Sequence, residues 1–336
     1  MAPGGRQGDG GEDIDKQSLK HVLDSIGKIV HEQVKKEAEQ RSRSDLKGSL
    51  SFASIFGEET VSSPNPCNLE SEYAKLIMAR DHPCGKDGTG KEDVKRFSKE
   101  RVAEYDEKKI RDTNKSKGGN NEGQCAPYRR LSLCNKNLKN INNIDSDKAR
   151  HNLLAEVCMA AKYEGESIKT HLEKYDAEYP SGSGHTTCTA LARSFADIGD
   201  IVRGKDLYSG NSKEKKQREK LEENLKTIFG NIYKDVTSGN NKDTLQTRYN
   251  DESGNYYQLR EDWWTANRET VWKAITCKAD ASSAYFRATR SDGNSQSQAR
   301  NQCRCPKSSG ANADQVPTYF DYVPQYLRWF EEWAED

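Results

Sequence analysis

Gly85-Lys-Asp-Gly-Thr-Gly-Lys91 comes closest to a catalytic motif, because glycines followed by a lysine can cradle phosphates. It departs from that pattern on two counts. Glu92 stands where a Mg2+-binding Ser or Thr belongs, and the preceding Arg80-Asp-His-Pro-Cys84 is a proline turn, not an apolar strand. Nucleotide binding is therefore rejected. His31-Glu32 opens a zinc-protease pattern, but Lys35 occupies the place of the second histidine. Cys303-x-Cys305 with His185 suggests zinc, yet no Cys-x-x-Cys pair exists and the six histidines lack ligand spacing. Asn114-Lys-Ser116 fits a glycosylation acceptor, but such triplets arise by chance in polar loops. No enzyme activity, cofactor or metal is expected.

The chemistry that remains is cross-linking and charge. Nine cysteines (Cys67, Cys84, Cys125, Cys134, Cys158, Cys188, Cys277, Cys303 and Cys305) sit in a chain of 336 residues that is 33% apolar and 32% charged. A core this thin gains from disulfides, which belong to oxidising compartments. Yet the start, MAPGGRQGDGG, holds no apolar run of the signal type, and no stretch approaches the roughly 20 apolar residues of a membrane span. Either the protein is reduced and intracellular, or it reaches an oxidising space by an unusual route. An odd cysteine count leaves one without a partner. The sequence ends at Trp333-Ala-Glu-Asp336 inside an amphipathic pattern, which implies a piece of a longer protein.

Net charge is zero but segregated. Arg203–Lys220 holds seven bases and three acids, Lys91–Lys117 ten and seven, and Asp314–Asp336 one and six. Such runs form a basic face or merely solvated helix faces.

These groups need elements to position them. Residues 1–13 read as disordered. A helix is predicted over Asp15–Arg43, docking through Leu19, Val22, Leu23, Ile26, Val30 and Val34. Lys16, Lys20, Lys28, His31 and Lys35 then share an arc of roughly 120° beside that face. Ser44–Cys134 reads as loop-rich, with a short helix over Glu92–Arg111 and a flexible tract at Thr113–Gly123. Four further helices are predicted: Asp147–Tyr175, one capped by Thr187 and closed by Gly204, one capped by Ser212, and Tyr256–Cys277. Ser282–Ala313 reads as polar loop. Asp321 is placed as the cap of a last helix whose Tyr322, Tyr326, Trp329, Phe330 and Trp333 form a core-facing stripe, with its partner helix expected beyond the given sequence. No alternating stretch suits a central strand, so the class is all-α.

Several segments resemble one family. Ala192-Arg-Ser-Phe-Ala-Asp-Ile-Gly-Asp-Ile-Val-Arg-Gly204, Leu259-Arg-Glu-Asp-Trp-Trp264 and Pro317-Thr-Tyr-Phe-Asp-Tyr-Val-Pro-Gln-Tyr-Leu-Arg-Trp-Phe330 are similar to the Duffy-binding-like alpha domain. That domain heads erythrocyte membrane protein 1 of Plasmodium falciparum. Cys125-Ala-Pro-Tyr-Arg-Arg-Leu-Ser-Leu-Cys134 and Leu153-Leu-Ala-Glu-Val-Cys158 match further blocks, and the first helix resembles the segment preceding the domain. The resemblance implies export to the infected-erythrocyte surface without a conventional signal, with the membrane span far downstream. It implies an N-terminal segment (1–48), a disulfide-linked loop-rich subdomain (49–140), a helical-bundle subdomain (141–300) and the start of a two-helix third subdomain (301–336). By analogy it also implies bridges Cys67–Cys134, Cys84–Cys125 and Cys188–Cys277, with Cys303 and Cys305 pairing beyond the chain. Cys158 gains no partner, because Arg290 stands where many relatives carry a cysteine.

The implied function is adhesion in rosetting, through erythrocyte receptors: heparan sulfate or heparin, blood-group sugars and complement receptor. Antibodies are further partners, and nucleic acid is not one. A sulfated glycan needs repeated Lys and Arg at intervals, not a deep pocket. The candidates are Lys16, Lys20, Lys28, Lys35, Lys36, Arg41 and Arg43 on the leading helix. Next come Lys95, Arg96, Lys99 and Arg101, then Lys108, Lys109 and Arg111. The alternative is an antigenic head that binds a protein receptor or presents neighbouring adhesive domains.

Overall fold

Apolar residues three and four apart set the long helices, and the body of the protein is made from them. The computed structural model describes residues 18–39, 43–53, 64–69, 82–85, 126–139, 141, 148–178, 186–208, 212–238, 242–286, 288–291, 296–299, 301–305 and 316–335. In chain order the helices are α1 (Leu19–Glu39), α2 (Arg43–Leu46), α3 (Tyr128–Leu131), α4 (Lys136–Lys139) and α5 (Ala149–Glu178). Then follow α6 (Thr187–Arg203), α7 (Ser212–Val236), α8 (Lys242–Tyr249), α9 (Tyr257–Ile275) and α10 (Gln325–Glu335). The all-α class holds, with one addition. Two short antiparallel strands, β1 (Ala288–Ser291) and β2 (Gln296–Gln298), pair inside the stretch read as polar loop. The expected helix over Glu92–Arg111 and the tract after it lie outside the described residues.

The centre is a bundle in which α9 packs on α5 and α6, with α7 against α5. Leu153, Leu154, Val157 and Ile168 of α5 bury against Leu191, Phe195 and Ile198 of α6 and Trp263, Val271 and Ile275 of α9. Phe195 lies between two indoles, 5.1 Å from the Trp264 ring and 5.2 Å from that of Trp272. Thr186, not Thr187, caps α6, its side chain accepting from the Thr189 N–H at 3.4 Å. Gly204 closes the helix at φ 72°, a left-handed position that suits glycine.

All three expected bridges are corrected. Cys67 pairs with Cys277, Cys84 with Cys134 and Cys188 with Cys303, while Cys125 lies outside the described residues. The reason is how the loops fold back. The turn at Cys67 rests on the end of α9, where Arg304 donates to the Lys273 carbonyl at 2.6 Å and the Thr276 hydroxyl at 2.6 Å. The chain at Cys303 lies over the bundle, its carbonyl accepting from the Trp272 indole at 3.1 Å. Cys303 therefore bonds to α6 and does not reach beyond the chain. Cys305 is buried, and Cys158 is a buried thiol whose burial pushes its pKa up.

The last helix lays only part of its aromatic stripe against the body. Trp329 is buried and Trp333 half-buried, 5.3 Å from the Tyr128 ring, but Tyr326 is 45% and Phe330 66% exposed. The buried face carries Gln325, Arg328, Glu331 and Glu332 instead. Asp321 does not cap this helix; it sits in the 3-10 turn Phe320–Tyr322 and points into the body.

Candidate receptor-binding surface

Helix α1 docks by a different side from the one its aliphatic residues mark. Leu23 is buried, but Leu19, Ile26 and Val30 are exposed. The buried positions are Asp24, Ser25, His21 and Ala38. Asp24 accepts from the Tyr319 N–H at 2.7 Å, the Thr318 hydroxyl at 3.2 Å and the Tyr285 hydroxyl at 3.2 Å. Gly27 permits this approach, since a Cβ there would lie 2.2 Å from the Tyr319 carbonyl oxygen. The helix is therefore fixed by one carboxylate and a close backbone contact.

That rotation decides where the predicted cations fall. At about 100° per residue, Lys20, Lys28 and Lys35 lie within roughly 80° of one another. They share the docked half with Asp24 and Ala38. Each is half-buried. Lys20 sits 5.4 Å over the Phe286 ring, and Lys28 is 3.6 Å from Glu32. Lys36 is exposed. Arg43 opens α2. Lys16, Arg41, Lys95, Arg96, Lys99, Arg101, Lys108, Lys109 and Arg111 lie outside the described residues.

The 318–321 turn that holds α1 is itself held by buried charge. Arg268 of α9 donates to both Asp321 oxygens at 2.7 Å and to the Thr318 carbonyl at 2.7 Å. The Trp264 indole adds a bond to Asp321 at 2.8 Å. Burial would raise the Asp321 pKa, but Arg268 outweighs it and holds the carboxyl below its usual range. Beneath α10, Arg129 reaches Asp197 at 2.7 Å and Glu332 at 2.8 Å, and Arg328 reaches Asp197 at 2.9 Å and Asp200 at 2.5 Å. Arg193 pairs with Glu331 at 2.8 Å. Burial opposes ionisation of Asp197, yet Arg129 and Arg328 hold its pKa at about 2. At Asp200 burial wins and the pKa rises despite Arg328 and Arg203.

The segment after α2 has its own attachment. The Gly48 N–H donates to Asn267 at 2.7 Å, and the Ser49 N–H to His151 Nδ1 at 2.9 Å. Burial and the nearby Arg150 lower the His151 pKa.

Sequence reasoning missed the residues that place this surface, namely Asp24, Arg129, Asp197, Arg268 and Asp321. One signal could have found part of the seam. Arg193, Asp197 and Asp200 of α6 recur at helical spacing within an otherwise apolar helix, facing Arg328, Glu331 and Glu332 of α10. Among the described residues no group of three or more His, Cys, Asp or Glu side chains could hold a metal ion. No helix among them is long and apolar enough to cross a membrane.

Comparison with known proteins yields consistent relatives. A family model for the Duffy binding domain matches residues 123–328, and one for N-terminal segments of PfEMP1 matches residues 18–54. The Duffy receptor beta form of Plasmodium knowlesi is 24% identical over 225 residues, covering 63% of this chain and 14% of the receptor. The Duffy receptor of Plasmodium vivax is 25% identical over 221 residues, covering 63% and 15%. The chain thus spans about a seventh of the curated relatives it matches. Among solved structures, the NTS-DBL1(alpha-1) domain of Plasmodium falciparum PfEMP1 from the varO strain aligns with TM-score 0.64 and 33% identity, over 95% of this chain and 61% of that one. The ICAM-1-binding DBLbeta domain of PfEMP1 IT4var13 aligns with TM-score 0.65 and 26% identity, over 93% and 62%.

Proposed function

The chain belongs to the Duffy binding domain family, and on that premise we propose that it is an adhesion module of a variant antigen on the infected erythrocyte, one that grips a sulfated glycan of the host cell in rosetting. The observation that carries this reading is the anchoring of α1 by buried Asp24. A helix fixed in its first third holds its cations at set intervals. Lys28 and Lys35 are seven residues apart, about 10 Å along the axis. Pre-set spacing lowers the ordering cost of meeting a repeated array of sulfates. Lys36, on the exposed side, widens the reach of the same stretch. Blood-group sugars and complement receptor remain alternative receptors of the same module. The four-part division at residues 48, 140 and 300 is part of this proposal.

The test is retention on immobilised heparin across a salt series, beside a Lys28/Lys35/Lys36→Ala variant. Charge contacts at a surface are screened within about 8 Å at physiological ionic strength. Wild-type retention should therefore fall steeply with salt and largely vanish in the variant. Equal retention of the two proteins, or retention indifferent to salt, sinks the reading.

A second reading, binding of a protein receptor, is favoured by one feature. Tyr326 and Phe330 stand exposed on α10, and aromatic side chains are enriched at the centres of protein interfaces. The ICAM-1-binding DBLbeta relative shows that the fold accepts such a partner. Adhesion that ignores heparin and fails in a Tyr326/Phe330→Ala variant would select this reading.

A further inference from the structure

A concavity lies away from α1, where five segments of the chain meet. Its walls come from α3, the end of α4, the loop after α6, the first half of α7 and the start of α9. Four cations line it: Arg130, Lys139, Arg218 and Lys226. The two carboxylates in the wall are each matched by a buried guanidinium. Arg130 holds Asp206 at 2.6 Å and 3.2 Å, and Arg260 holds Glu222 at 2.5 Å and 3.1 Å. The wall is thus cationic on balance, and its acids are already committed.

The rest of the lining has a second character. Tyr208 lies 4.7 Å from the Arg130 guanidinium and Tyr257 is 52% exposed, so two phenol rings border the space. Arg218, Glu222 and Lys226 recur every fourth residue, which puts them on one face of α7. The Arg218 guanidinium is fixed by the carbonyls of Tyr208, at 2.9 Å, and of Asp206. The cavity measures about 230 Å3. That is below the roughly 300–1,000 Å3 of ordinary small-molecule sites, so it admits one ring and not a chain.

Cations, flat aromatic faces and a one-ring volume together specify a ligand class. Guanidinium and ammonium groups meet a sulfate or carboxylate through charge-assisted hydrogen bonds. Phenol rings accept the apolar C–H face of a pyranose, as they accept other apolar surfaces. We infer that this cavity is a subsite for one acidic sugar unit, a pyranose bearing a sulfate or a carboxylate. The choice of a sugar rests on the glycan reading above, whereas the residues are independent of α1. The site gives the module a second, short-range contact with a glycan, reading one unit where α1 reads a spacing.

The experiment titrates the intact chain with glucose 6-sulfate, N-acetylneuraminic acid, glucose and inorganic sulfate, following tyrosine ring resonances by NMR. At least one acidic sugar should bind and shift the rings, and should outcompete both glucose and inorganic sulfate. Tighter binding of glucose 6-sulfate assigns the unit to a sulfated glycan, and tighter binding of N-acetylneuraminic acid to a sialylated one. Lys226→Glu should weaken the acidic sugar about tenfold, the size of one lost charge-assisted contact. Lys226→Gln should move affinity the same way by less, with an unfolding temperature unchanged from wild type. Absence of binding by both acidic sugars overturns the inference, as does parity with glucose or indifference to both Lys226 variants. Inorganic sulfate binding as well as glucose 6-sulfate also overturns it, leaving an anion site with no sugar contact. Heparin retention by the Lys28/Lys35/Lys36→Ala variant is read separately, so either site can fail while the other stands.

Discussion

The bundle and the seam beneath its last helix are held by opposite means. Between α5, α6 and α9 the contacts are aliphatic and aromatic, around Leu154, Phe195 and Trp263. Between α6 and α10, and under the 318–321 turn, they are guanidinium and carboxylate, centred on Arg129, Asp197, Arg328, Arg268 and Asp321. The bundle tolerates exchange of one hydrophobe for another of similar volume. The seam cannot, because each charge is buried and needs its partner to offset desolvation. A seam of this kind fixes one orientation for α10, and that orientation leaves Tyr326 and Phe330 facing outward.

Isosteric changes break the comparison most sharply. Asp197→Asn removes the charge shared by Arg129 and Arg328 and should cost about 3–5 kcal/mol in chemical denaturation. Leu154→Met, in the bundle, should cost less than about 1.5 kcal/mol. Comparable costs would mean that shape, not charge, holds the seam. Removing the α1 anchor comes next. Asp24→Ala leaves the Tyr319 N–H and two hydroxyls without their acceptor, at about 1–3 kcal/mol. Hydrogen exchange along 19–39 should rise in that variant while the bundle stays protected.

Acid separates the two regions again. The Asp197 carboxyl titrates at about 2 in the folded protein, below its ordinary 3.8. Its stabilisation is complete above about pH 5 and lost as pH falls through about 2, to the extent of roughly 2 kcal/mol. Asp200, pushed the other way, favours the folded state as pH falls from its raised pKa towards the ordinary 3.8, above the window in which Asp197 acts. The Asp197→Asn variant should therefore show a flatter loss of stability between pH 4 and 2. The smallest effect belongs to His151, whose lowered pKa means that stability is present above pH 6.5 and declines below it. Its protonation blocks the bond from Ser49, so residues 43–53 should gain hydrogen-exchange mobility as pH falls below 6.5, before the bundle responds.

The same contrast explains what was legible in the sequence. Helices α1, α5, α6, α7 and α9 are readable from apolar residues three and four apart, because hydrophobic packing leaves a local period. Charge pairing leaves less, since the helical spacing of Arg193, Asp197 and Asp200 does not name their partners. Arg129 and Glu332 are 203 residues apart, and nothing near either position announces the other. Hence α1 and α10 are legible as helices, but the charged side by which each docks is not. In α1 the buried side holds Asp24 and not the exposed Leu19, Ile26 and Val30, and in α10 it holds Arg328, Glu331 and Glu332. Disulfide pairing failed for a related reason. Partners are set by where loops return, as at Cys67 on the end of α9. The lysines of α1 were legible as a stripe, but their burial depends on Asp24.

The bridges have a consequence for variation. Cys67–Cys277 brackets 210 residues of sequence, and Cys84–Cys134 brackets 50 residues inside it. A peptide bond cut anywhere between Gly85 and Leu133 leaves the two pieces joined by both bridges. Insertions, deletions and replacements at residues 86–124 likewise leave the flanking chain pinned at the same two points, whereas Arg129 and Arg130 are tied into the body by their ion pairs. The frame on either side of residues 86–124 is thus moored from outside that interval.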